Sequence, residues 1–117
     1  MRTNFWAAVV IWVMAICSVN ANLITNGDFE SGVSGYTTAY TYNASSTYPG
    51  RYCIRTNPNN WDAGYQSFGD HTSGSGNMML IDAAGGAGGY TGQTCWSETI
   101  AVTQNTDYTF SAWIAQI

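Results

Sequence analysis

"YPGRYCIR", residues 48–55, reads as a turn that opens a strand. Proline fixes φ for the first corner of a tight reversal, and glycine tolerates the positive φ of the second. Tyr52, Cys53 and Ile54 then give a short run of β-formers. The same grammar recurs on both sides. "YTTAYTY" (36–42) is rich in β-formers. "NMMLID" (77–82) is apolar on both faces and is expected to form a central, fully buried strand. "CWSETIAV" (95–102) alternates, with Trp96, Glu98, Ile100 and Val102 on one side. "QNTD" (104–107) is a turn, and "YTFSAWIAQI" (108–117) alternates again with Tyr108, Phe110, Ala112 and Ile114 together. No helical periodicity appears beyond residue 21.

Short strands separated by Gly, Asn and Ser turns predict an all-β chain, an antiparallel β-sandwich. About six strands are legible where a closed jelly roll uses eight. The sequence ends on a strand whose apolar residues are still running, so the sandwich is expected to be truncated and the chain to be part of a longer protein.

Residues 1–21 carry one charge, Arg2, then the unbroken apolar run "FWAAVVIWVMAI". Val19 and Ala21 stand where a signal peptidase reads small side chains. The run is too short to span a bilayer, which favours a secretory signal over a membrane anchor. The expected domain is then residues 22–117, secreted or at the cell surface, with no membrane insertion after cleavage. It holds two arginines, Arg51 and Arg55, and no lysine. The whole chain carries a net charge of −4. Nucleic acid, which demands a basic face, is excluded as a partner. Abundant aromatic and β-branched residues argue against disorder.

Cys53 and Cys95 remain after cleavage, and an oxidising compartment favours their pairing over two separate thiols. A disulfide closing that loop contributes about 4 kcal/mol in the chain-entropy view.

"NLITNGDFESG" (22–32) resembles the opening of galactose-binding-like jelly-roll domains, carbohydrate-binding modules among them. "GDFE" followed by "GDHTSGSGNMMLID" also resembles the MAM adhesion domains, and "WSETIAVTQNTDYTFSAWI" the central strand pair of secreted jelly rolls. The resemblance covers residues 22–117. It implies a β-sandwich that binds sugars, mediates adhesion, or decorates a larger secreted hydrolase. It also implies a structural cation near the domain's N-terminus. The MAM cysteine pattern is absent.

Asp70-His71 is the one acid–histidine pair. Adjacent residues on a strand point to opposite faces, which denies a general base its orienting carboxylate, and no GxSxG nucleophile is present. Zinc is disfavoured by one histidine and two distant cysteines. Calcium suits the oxygen donors better. Asp28, Glu30 and Asp70 are the candidate ligands. The alternative is that Asp28 and Asp70 cap turns through side-chain to backbone bonds. Either role is structural, so the chain is expected not to be an enzyme.

Sugar recognition needs aromatic rings against the apolar face of a pyranose. Tyr40, Tyr42, Trp61, Tyr65 and Trp113 are the candidates. Trp61 lies in the polar stretch "NPNNWDAGYQ" and is expected to be exposed, while Trp113 projects opposite the Phe110 face. The competing role for all five is core packing. The resulting expectation is a non-catalytic module binding glycans or a cell-surface partner.

Overall fold

The computed structural model describes residues 22–83 and 92–117. The expected secretory signal and most of the Gly-rich loop at 83–92 lie outside the described residues.

The Pro-Gly turn organises the sheet. Gly50 has φ 89°, and the Arg51 amide returns to the Tyr48 carbonyl at 3.1 Å. That is a type II corner, with proline and glycine in the two positions that demand them. Three strands converge on it. They are β1 (Thr41–Tyr42), β2 (Arg51–Arg55) and β3 (Met78–Asp82). The sheet order is β1-β2-β3, with β1 parallel and β3 antiparallel to β2. Gly50 joins both neighbours: its carbonyl accepts the Thr41 amide, and its own amide donates to the Asp82 carbonyl, each at 2.9 Å.

The regular elements are strands and one 3-10 turn (Pro58–Asn60), with no α-helix among the described residues. The all-β expectation therefore holds at this level. The described strands make one open three-stranded sheet.

Alternation along β2 divides the sheet into two faces. Cys53 stands opposite Leu80 in the ladder. Both are buried with Trp61, and Ala44, Tyr65, Met78 and Ile117 pack around them. The opposite face carries Tyr52 and Ile54, also buried. There Tyr36 and Tyr42 meet Tyr52 edge-on, with ring centroids 6.4 and 5.5 Å away. Burial pushes the Tyr36 phenol above its ordinary value.

β2 is thus the strand buried on both sides. The expectation that residues 77–82 form the central strand is corrected. β3 has one ladder neighbour among the described strands, and only Leu80 of its residues is buried. A run of apolar residues signals burial potential on two faces but not position in the sheet.

The strands expected at 95–102 and 108–117 do not form as such. Thr37 and Ser97 exchange one antiparallel bridge, and the Ala39 amide donates to the Thr94 carbonyl at 2.9 Å. Beyond Ser97 no described residue belongs to a strand, and Val102, Phe110 and Ile114 are exposed, Ile114 to 95%. Alternation defines which side chains would share a face, but a strand also needs a ladder partner. The turn expected at 104–107 is present, with Asn105 at φ 59°.

Candidate functional site

The five aromatic candidates fall into separate environments. Trp61 is 7% exposed and belongs to the core beside Cys53 and Leu80. Its indole Nε1 donates to the Asn43 carbonyl at 3.0 Å. This corrects the expectation of an exposed platform. The polar residues around it are what seat it. Asn57 caps the 3-10 turn by accepting the Asn59 amide at 3.0 Å, and the turn swings the following Trp61 inward. Tyr65 is half-buried against Trp61, with centroids 6.2 Å apart at 65°. Tyr40 is buried as well. Of the five, only Tyr42 and Trp113 are exposed. Trp113, 74% exposed, has one ring face stacked on His71 at 3.5 Å and 12°.

The candidate cation ligands are occupied by protein donors. Asp70 accepts the Thr72 amide at 2.9 Å, the Ser73 amide at 2.8 Å, the Ser73 hydroxyl at 2.7 Å and the Gly76 amide at 2.6 Å. These donors, the Ser73 hydroxyl first, hold its carboxyl well below the usual carboxylate range. Glu30 crosses from the N-terminal segment to the same turn, accepting the Asn77 amide at 2.5 Å and the Asn77 side chain at 3.2 Å. The two stretches that carry the family resemblance therefore meet in space. Asp28 caps locally, accepting the Glu30 amide at 3.2 Å. No group of three His, Cys, Asp or Glu able to hold a metal occurs among the described residues. Hydrogens directed at the carboxylates meet the need a cation would meet, so this trio does not fit calcium as it stands. Gly76 lets the carboxylates approach: a Cβ there would lie 2.6 Å from Glu30 Oε1 and 3.2 Å from Asp70 Cγ.

The cysteines do not pair. Both are free thiols, Cys53 buried and Cys95 exposed. The expected disulfide is corrected on that ground: Cys53 points into the core, where Leu80 and Trp61 surround it. Burial pushes its thiol up to about 11, against the opposing pull of Arg55.

A different set of residues surrounds open space. At the end of β2 a cleft of about 360 Å³ is lined by Ile54, Arg55, Thr56, Asn60 and Asn77. Its volume falls at the small end of ligand pockets. Three elements build it: the last residues of β2, the 3-10 turn, and the residue that leads into β3. Arg55 is anchored by one bond, its Nη2 to the Ala44 carbonyl at 2.9 Å. Asn77 donates to Glu30, which leaves its Oδ1 as an acceptor. Arg55, Thr56, Asn60 and Asn77 were not singled out from the sequence as site residues. Their contributions are 22 positions apart at the extremes, and the only local sign is a cation closing an apolar strand. A second cleft, of about 380 Å³, lies beside the Thr37–Ser97 bridge. Its Glu98 carboxylate is engaged by the Thr25 amide at 3.0 and 3.1 Å.

Comparison with known protein families, curated proteins and solved structures returned no match for this chain. The likeness to galactose-binding-like domains rests on the quoted motifs.

Proposed function

We propose that the chain is a secreted, non-catalytic binding module of the galactose-binding-like jelly-roll type that recognises carbohydrate at the cell surface or in the extracellular matrix. The observation that carries this reading is the cleft at the end of β2. A guanidinium, two carboxamides and a hydroxyl line it around Ile54. Such a mixture suits a ligand whose surface is mostly hydroxyl groups with apolar C–H patches. Binding of the secreted protein to a glycan panel tests it. Asn60→Ala, with an unchanged far-ultraviolet spectrum, is expected to weaken that binding at least several-fold. Absence of binding to any saccharide refutes the reading.

A structural or adhesive surface domain is the second reading. Val102, Phe110 and Ile114, exposed along one segment, favour it. Single scattered apolar residues need no explanation, but several along one stretch suit contact with another protein.

A further inference from the structure

We infer that the cleft at the end of β2 selects acidic saccharides, those bearing a carboxylate such as a uronic acid unit, and that Arg55 takes the carboxylate. The inference rests on the carbohydrate reading and narrows it.

Arg55 and Arg51 are the chain's two arginines after residue 21. They stand on the same side of the β2 backbone, an even number of residues apart. Arg51 is engaged locally. Its guanidinium lies 5.3 Å from the centroid of the Tyr48 ring and donates to the Ser46 hydroxyl. Arg55 lines the cleft and donates from Nη2 to the Ala44 carbonyl. A guanidinium offers five N–H groups in a planar fork that matches a carboxylate in two parallel bonds. One of the five is spent on Ala44. No ion pair to Arg55 occurs among the described residues. The guanidinium is therefore held at Nη2, with Nη1 and Nε left to donate.

Glu30 does not compete for this cation. It binds Asn77 through the backbone amide and the side-chain nitrogen, so its charge is satisfied at the turn rather than at Arg55. Asn77 then presents Oδ1, an acceptor for a sugar hydroxyl, while Asn60 and Thr56 add a carboxamide and a hydroxyl. One fork for a carboxylate, surrounded by neutral groups for hydroxyls, is the complement of a single acidic sugar unit. A polyanion of dense charge is a poor match, because the chain is net negative and Arg55 is the sole cation among the residues lining the cleft.

Titration calorimetry on the secreted protein tests this without relying on a variant. The probes are an oligogalacturonate, the same oligomer methyl-esterified, a neutral galactose oligomer, and inorganic phosphate. The acid is expected to bind at least tenfold more tightly than its ester, and raised salt is expected to narrow that gap. Arg55→Gln is expected to bring the acid down to the ester's affinity with little change for the neutral oligomer. Arg55→Lys keeps the charge without the fork and is expected to restore only part of the preference. Equal binding of acid and ester overturns the selectivity and leaves the carbohydrate reading standing. Retention of the preference in Arg55→Gln overturns the role of Arg55. Phosphate binding as tightly as the acid marks a general anion site and overturns the inference. Binding of none of the saccharides overturns both readings.

Discussion

Trp61→Ala separates a core residue from a ligand platform. The indole is 7% exposed, packs with Cys53 and Leu80, and holds the Asn43 carbonyl through Nε1. Truncating a buried tryptophan to alanine costs about 3–5 kcal/mol, because transfer free energy and a residual cavity both count. Domains of this size have roughly 5–15 kcal/mol of stability in all. Each kcal/mol moves the melting midpoint by about 4–8 °C, so even the lower cost implies a fall of about 12 °C or more. Trp61→Phe keeps most of the ring but orphans the Asn43 carbonyl, for an expected loss of about 1–3 kcal/mol. Urea unfolding followed by far-ultraviolet circular dichroism measures both. The two variants should rank Ala below Phe below wild type. A Trp61→Ala protein that unfolds at the wild-type urea concentration, yet loses glycan binding, would refute the packing argument and return Trp61 to the surface.

Four further outcomes are expected. Gly76→Ala places a Cβ against Glu30 and Asp70 and should lower stability by about 1–3 kcal/mol; an unchanged urea midpoint would show that the turn yields freely. The depressed Asp70 carboxyl contributes stability that is present above its unfolded value, about 3.9, and lost as pH falls toward its lower folded value. Asp70→Asn should therefore flatten the decline in melting midpoint on acidification below about pH 5, and a decline as steep as wild type would count against that account. In native protein a thiol reagent at about pH 8 should label Cys95 quickly and Cys53 only after unfolding, since the Cys53 thiol is buried and shifted to about 11; equal labelling rates contradict the burial. Because the Asp70 and Glu30 oxygens are already bonded, a chelator should leave the melting midpoint unchanged. A midpoint raised by added calcium would instead establish a cation bound only by the folded chain.

Local chemistry was the legible part. Pro49-Gly50 announced a turn and the residues after it a strand, and β2 occupies Arg51–Arg55. The apolar run at 77–82 announced β3, which spans Met78–Asp82. Whatever depends on partners was not legible. Residues 108–117 alternate as a strand should, yet the alternation does not specify what would pair with them. Trp61 misled because a polar neighbourhood describes the asparagines, whose side chains bind backbone, and not the indole they turn inward. The cleft was invisible for a geometric reason. Arg55 and Asn77 approach because β2 and β3 are antiparallel, a fact of register that no window around either residue contains. The meeting of Glu30 with the turn at 70–77 was legible as a pairing of Glu30 with Asp70, expected through a shared cation, whereas the partner found is Asn77.

Gly50 has a consequence for the order in which the chain folds. Its carbonyl serves β1, nine residues earlier, and its amide serves the end of β3, thirty-two residues later. The turn is a local event, closing on a timescale of about microseconds or less. Once formed, it aligns a donor and an acceptor for strands that arrive from opposite directions along the sequence. The nearer strand needs only a short loop to close, and the farther one then docks on a ladder whose register is already fixed, so its loop-closure entropy is met by several bonds at once. Substitutions at Pro49 or Gly50 should accordingly act chiefly on the folding rate, while those at Leu80 should act chiefly on unfolding.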